Sequence, residues 1–427
     1  MNILKERVSN LIFGILCLVA CFPLFSMKMT VIFIIVFTCS SFLAGFIWNR
    51  GSIAKKRTAE LALLLFPFSL IALRTFFTDR SPEAIFYLEV SMSLLAFPVA
   101  FFMTPTPITT RKKGILNILF VLSTFSIVIF GMAKVILKIL ANIGPDKFWK
   151  SSSQMFNDPS FAFLVRTTFE NEVSIHPTYA SIFLGISVLI LLDKVLRKFK
   201  ILSQAEKLLY YFSIFLALVL LGILASRTPF LATMISGLAL FFMHLKKKIN
   251  ALYAITGIVT ITVLLILVVP SMSSRFKEIS FSNTELPTAK HENSFNLRTG
   301  IYKCSMEIIS DNWLWGIGPG NVQTVLNECY GKLSKESYEN KNYNTHNQFL
   351  DYWAGLGILG PISLLMILAF ASYKNFQINR YLVSSLVILF LFALLTENLL
   401  TRQNGIVPFA YFIGLYFFTT PAETKYI

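Results

Sequence analysis

Charge is scarce in this sequence, and so are the residue patterns that build most soluble active sites. Only 14% of the 427 residues are charged, while 55% are hydrophobic and 42 are phenylalanine. A soluble fold of this size has no room to hide that much apolar surface, so the bilayer has to cover the excess. No glycine-rich loop followed by lysine is present to cradle a nucleotide, and no paired His or Cys spacing offers a zinc site. No carboxylate pair resembles a metal-dependent nucleotide-sugar site, so neither a metal nor a cofactor is expected. There is no internal repeat and no low-complexity tract.

The formal net charge is +16, which in a soluble chain would suggest nucleic acid. Here the basic residues fall in short clusters between apolar runs, a pattern that reports topology, and no nucleic-acid partner is expected. Lys5 and Arg7 precede the first apolar run as in a signal peptide, yet no small-residue cleavage site follows, so the run reads as a retained first span. Cys17, Cys21 and Cys39 fall inside apolar runs and read as packing residues, whereas Cys304 and Cys329 lie in polar sequence.

The chain reads as an all-α polytopic membrane protein, a single integral membrane domain over 1–427. Stretches long enough to cross about 30 Å of hydrocarbon run roughly over 9–26, 29–48, 60–76, 84–104, 114–140, 179–195, 208–225, 229–245, 249–269, 353–373, 381–397 and 405–420, about twelve spans. Alternate short loops hold Arg50, Lys55, Lys56 and Arg57; Arg111, Lys112 and Lys113; Lys194, Arg197, Lys198, Lys200 and Lys207; Lys246, Lys247 and Lys248; and Lys374 and Arg380. The opposite loops carry one basic residue each, Lys28, Arg80, Arg227 and Arg402. The rich set is therefore expected to be cytoplasmic, with both termini beside it.

That orientation puts two longer segments outside, a smaller one over 141–178 and a larger one over 270–352, between the ninth and tenth spans. The larger holds eight basic and nine acidic residues, so it is no simple polybasic lipid anchor. Residues 297–309 have helical apolar spacing, and Trp313-Leu-Trp-Gly-Ile-Gly-Pro-Gly320 breaks it with a turn. A second helix is expected over 321–339, and a third over 344–357 running into the tenth span. With both in an oxidising compartment, Cys304 and Cys329 are expected to form a disulfide.

His346, in Asn344-Thr-His-Asn-Gln-Phe-Leu350, stands at the outer mouth of the tenth span, where a neutral imidazole can take a proton from a hydroxyl. An interfacial histidine that caps a helix or bonds a loop is the plainer alternative. Arg227 sits in a very short outer turn and Arg298 opens the first loop helix. Each alone is an ordinary surface or headgroup arginine, but two planar forks and one base suit a pyrophosphate leaving group and a hydroxyl nucleophile. Lys134 and Lys138, one turn apart near the outer end of the fifth span, either snorkel or help hold phosphate. His176, in Ser174-Ile-His-Pro-Thr-Tyr179, either starts a helix or touches substrate. Arg74 and Glu89 near the outer ends of adjacent spans suggest an ion pair, His244 lies beside Lys246 on the other side, and His291 has no partner in sequence.

Three segments, Ser226-Arg-Thr-Pro-Phe230, Asn296-Leu-Arg-Thr-Gly-Ile-Tyr302 with Trp313 to Asn321, and Thr345-His-Asn-Gln-Phe-Leu-Asp-Tyr-Trp-Ala-Gly-Leu-Gly-Ile-Leu-Gly360, resemble in order and spacing the O-antigen ligase and polymerase superfamily of bacterial envelope glycan transferases. The resemblance covers roughly residues 220–365; the first five spans share only their apolar character. It implies that His346 activates an acceptor hydroxyl and that Arg227 and Arg298 hold the pyrophosphate of an undecaprenyl-linked glycan. It implies an inner-membrane enzyme acting on the periplasmic face without a metal, with lipid A core as acceptor for a ligase or another carrier-linked glycan for a polymerase. Protein O-glycosylation enzymes form a third branch. A lipid-linked glycan flippase is the alternative from another class, though such folds show two related halves and midplane charges. If the transferase reading holds, His346, Arg227 and Arg298 should converge on one outer cavity open to lipid and to water.

Overall fold

Apolar runs that must keep their peptide groups away from lipid have only the helix available to them, because each N–H and C=O then finds its partner within the segment. The computed structural model describes residues 2–48, 54–77, 80–143, 159–224, 226–245, 286, 294–333, 335–338 and 342–418, and among these there is no strand. The helices are α1 (Asn2–Ala20), α2 (Met27–Trp48), α3 (Ala54–Phe77), α4 (Pro82–Ser91), α5 (Ser93–Met103), α6 (Thr110–Ile143), α7 (Pro159–Val173), α8 (Pro177–Lys198), α9 (Gln204–Ile223) and α10 (Arg227–His244). After a gap come α11 (Ser294–Asn312), α12 (Val322–Leu333), α13 (Lys335–Tyr338), α14 (Gln348–Leu356), α15 (Leu359–Gln377), α16 (Tyr381–Thr396) and α17 (Gln403–Phe418).

Seven described segments are long and apolar enough to cross a membrane, the helices within 27–48, 57–77, 82–103, 110–141, 177–198, 204–223 and 359–377, and 381–396 is a shorter apolar helix. The expected span 249–269 lies outside the described residues, as do parts of both expected outer loops. Helix α8 and helix α17 are buried on nearly every side, the signature of a helix at the centre of a bundle. Phenylalanine and tyrosine rings knit that centre together: Phe22 packs on Phe120 and Phe183 at 5.3 and 5.5 Å, and Tyr411 packs on Phe97 and Phe412 at 5.7 and 5.0 Å. The outward faces of α2 and α9 expose Ile32, Ile35, Phe42, Leu43, Leu208, Leu209, Phe212 and Phe215, an apolar surface suited to lipid.

Helices α11 to α14 form a cap with its own small core of Ile301, Ile308, Ile309, Val322, Leu326, Tyr330 and Tyr338. Cys304 and Cys329 within it are joined by a disulfide, with their Cα atoms 5.8 Å apart. Two expectations for this region need correction. The second helix is divided into α12 and α13, and the third does not run into the tenth span. It stops at Gly357, whose φ is +74°, because the glycine turn of residues 313–318 lies against its last turn. Ile317 N–H donates to the Ala354 carbonyl at 2.8 Å and Gly318 N–H to Gly355 at 3.0 Å, taking acceptors that a continuous helix would need. A Cβ on Gly316 would sit 2.5 Å from the Gly357 nitrogen, so the two glycines fit only each other. The Arg74 guanidinium ties this turn to α3 by donating to the Gly316 carbonyl at 2.8 Å.

Helices α10 and α16 run antiparallel. The His244 ring meets Tyr381 edge-on at 4.9 Å, so the C-terminal end of α10 lies beside the start of α16. At about 1.5 Å rise per residue both helices are roughly 25 Å long, which puts Arg227 and Glu397 together at the other end of the bundle. Helix α8 follows the same axis, with His176 at the Glu397 end and Arg197, bonded to the Asn379 carbonyl at 3.2 Å, at the opposite one.

Candidate functional site

The segment carrying His346 is held rigidly from three sides. Gln323 Nε2 donates to the Tyr343 carbonyl at 2.9 Å, fixing the approach from α12. Asn347 caps α14, its side chain accepting from the N–H groups of Phe349 and Leu350 at 2.9 and 3.2 Å. Between them His346 takes φ +45°, a conformation uncommon outside glycine that persists where the surroundings over-determine it.

Those surroundings are a buried polar network that sequence reading did not anticipate. The Asn398 side-chain oxygen accepts from Thr345 Oγ1 at 2.8 Å and from the Asn347 N–H at 2.9 Å, while its amide donates to Asp351 at 2.9 Å. The other Asp351 oxygen accepts from Tyr87 at 2.7 Å and Gln348 at 3.3 Å, and Gln348 in turn accepts from the Leu400 N–H at 2.7 Å. Thr345, Gln348 and Asn398 are buried, so each of these bonds is shielded from water and specifies a single arrangement of the chain.

The network delivers Glu397, the C-cap of α16, to His346. One carboxylate oxygen lies 3.3 Å from His346 Nδ1 and the other 3.5 Å from Arg298 Nη2. Burial raises the Glu397 carboxyl, but the hydrogen bond and charge of His346 together with the charges of Arg298 and His176 outweigh it and hold the group below the ordinary carboxylate range. A carboxylate at Nδ1 selects the tautomer with the proton there, which leaves Nε2 as the basic nitrogen. An imidazole oriented in this way can accept a proton at Nε2, and a guanidinium lies on the other oxygen of the same carboxylate. Tyr302, one turn beyond Arg298 on α11, has its hydroxyl raised by burial and lies within electrostatic reach of Arg298 and Glu397.

Of the residues singled out in the sequence, His346 and Arg298 therefore meet through Glu397, and Arg227 opens α10 at the same end of the bundle. His176 caps α8, its Nδ1 accepting from the Thr178 N–H at 3.2 Å. Its imidazole is held below the ordinary value chiefly by burial, with Glu170, Arg166, Glu397 and Arg402 as charged neighbours. Lys138 pairs with Glu172 of α7 and Lys134 lies over the Phe130 ring at 5.6 Å, and neither is joined to Glu397. Ser226 Oγ, Gln403 Oε1 and Asn404 Oδ1 are buried with no hydrogen-bond partner among the described residues.

The fold and the site define an all-helical membrane protein with a histidine, carboxylate and arginine gathered beneath a helical cap. Residues 212–365 match the family model described as O-antigen ligase. Its members are membrane glycosyltransferase-like enzymes, so the match supports an O-antigen ligase- or polymerase-type function in a bacterial membrane. No curated protein matches the chain. His346, Arg298 and Arg227 lie inside the matched segment, whereas Glu397 and Asn398 lie beyond it.

Proposed function

We propose that this protein is an O-antigen ligase-type glycosyltransferase of about twelve spans. It moves a glycan from undecaprenyl pyrophosphate to an acceptor hydroxyl, that of lipid A core, on the periplasmic face of the inner membrane. The observation that supports the reading is the His346–Glu397–Arg298 contact, in which an imidazole from the segment before α14 and a guanidinium from α11, 48 positions apart in sequence, meet one carboxylate.

In the proposed step the acceptor hydroxyl gives its proton to His346 Nε2 while its oxygen attacks the anomeric carbon of the donor glycan. The bond from that carbon to the pyrophosphate oxygen breaks, and the pyrophosphate leaves with the electron pair. Glu397 keeps the imidazole in the receptive tautomer and stabilises the imidazolium that forms. Arg298 and Arg227 meet the charge growing on the leaving group, which is where fixed cations lower a barrier most. The basic loops opposite this end would then face the cytoplasm, with both termini.

A polymerase would run the same chemistry on a carrier-linked acceptor, so the acceptor decides between them. Deleting the gene and examining surface glycan separates the two. Loss of long chains from lipid A with carrier-linked polymer accumulating supports the ligase, single repeats left on the core support the polymerase, and an unchanged glycan overturns both.

A further inference from the structure

The meeting of Arg298 and His346 at Glu397 requires α11 and the segment before α14 to keep a fixed separation, and one buried side chain of the cap touches both. Tyr338 ends the short helix α13 and is 5% exposed. Its hydroxyl donates to the Leu297 carbonyl of α11 at 3.0 Å, immediately before Arg298. Position 300 of the same helix is glycine, and a Cβ there would collide with the Tyr338 hydroxyl. The bare backbone at Gly300 is what lets the hydroxyl reach the helix.

On its other side the Tyr338 ring stacks on Tyr330 of α12, with centroids 4.7 Å apart, and meets Tyr343 edge-on at 5.9 Å. Tyr343 is itself fixed, its carbonyl accepting from Gln323 Nε2 at 2.9 Å and from the Tyr330 hydroxyl at 3.3 Å. Its ring centroid lies 6.4 Å from that of His346. A continuous run of contacts thus leads from the backbone beside Arg298, through Tyr338, to the segment that carries His346. The disulfide does not duplicate this link. Cys304 lies about 9 Å along α11 from Arg298 by helical rise, and it ties the helix to α12 at Cys329.

We propose that Tyr338 is a positioning residue for glycan transfer, setting Arg298 relative to His346 through its bond to the Leu297 carbonyl. The role rests on the transferase reading of the site, and Tyr338 itself touches no reacting group. Without the bond the Arg298 end of α11 is free to shift, and a misplacement of about 1 Å can cost up to about a hundredfold in rate.

The test uses the full-length protein in nanodiscs, with undecaprenyl-pyrophosphate-linked glycan as donor and lipid A core as acceptor. Tyr338→Phe keeps the stacked ring and removes the hydroxyl. It is expected to lower kcat/KM for the donor about fivefold, the effect of one ordinary hydrogen bond, while the unfolding temperature moves by no more than about 2 °C. Gly300→Ala, which displaces the hydroxyl and leaves the tyrosine, should reproduce the loss although alanine favours the helix. The discriminating measurement combines Tyr338→Phe with Arg298→Lys. A residue that acts through Arg298 adds little to the loss already caused by Arg298→Lys, whereas a general loosening of the cap multiplies the two losses. Wild-type kinetics in Tyr338→Phe, or losses that multiply, overturn the positioning role and leave the transferase reading intact. Normal transfer by both Arg298→Lys and His346→Ala overturns the transferase reading, and this role with it.

Discussion

Replacing Glu397 by glutamine keeps the shape of the side chain and removes its charge. In the wild type its two oxygens lie 3.3 Å from His346 Nδ1 and 3.5 Å from Arg298 Nη2, with the Glu397 side chain 27% exposed and so only partly screened. A hydrogen bond to a charged group contributes about 1.5–3 kcal/mol and is roughly twice as strong as a neutral one. The variant therefore loses about 1 kcal/mol in the ground state. It loses more as the imidazolium forms at proton transfer, because the counter-charge that would stabilise it is absent. A further loss of about 2 kcal/mol at the transition state, beyond that in the ground state, corresponds to about thirtyfold in kcat. The assay is transfer from a purified lipid-linked glycan to its acceptor, with kcat and KM separated at saturating donor. Glu397→Asp retains the charge but shortens the reach, and is expected to fall between wild type and Glu397→Gln. A Glu397→Gln enzyme within about twofold of wild-type kcat would refute the idea that this carboxylate orients and stabilises the base.

Arg298→Lys and Arg227→Lys should each raise KM for the donor and lower kcat by about tenfold or more, because an ammonium does not reproduce the fork; normal kinetics in both would remove the arginines from the site. Gly357→Ala, at φ +74° against the Leu314 carbonyl, should destabilise the cap by about 2 kcal/mol or more, read as a lower unfolding temperature. Cys304→Ser should lose about 3.5 kcal/mol of stability on the chain-entropy account of a 25-residue separation, and reductant should affect the wild type alone. For pH, burial chiefly lowers His176, and Glu397 is net lowered by its cationic neighbours despite its burial. Both contributions to stability are fully present above the unfolded values, about 6.5 and about 4.3, and are lost as pH falls towards the depressed folded values. His176→Gln should flatten the first part of that fall, and an unchanged profile would show that His176 binds no fewer protons when folded.

Much of the helical order was legible because lipid demands long apolar runs and the charges between them are unmistakable. The break at Gly357 was not, since it depends on which distant N–H groups take the Ala354 and Gly355 carbonyls, and no local pattern reports that. The motif around His346 singled out that histidine, and its partner Glu397 stayed hidden because it follows the apolar run of α16 and lies outside the matched segment. A signal was available: a carboxylate ending a membrane-length apolar run is expensive to place and needs a cation nearby. Asn398 carried no comparable signal, because its value comes wholly from bonds to Thr345, Asn347 and Asp351, some fifty positions away.

The most direct test of the central claim is glycan transfer by His346→Ala, measured on protein shown by its unfolding temperature and membrane insertion to be intact. His346 is half-buried, and among the described residues its ring hydrogen-bonds Glu397 and packs near Tyr343, so its removal leaves the helices and the Asn398 network in place. The account predicts that transfer falls to background while the donor still binds through Arg298 and Arg227. A folded His346→Ala protein that transfers glycan at the wild-type rate would contradict it.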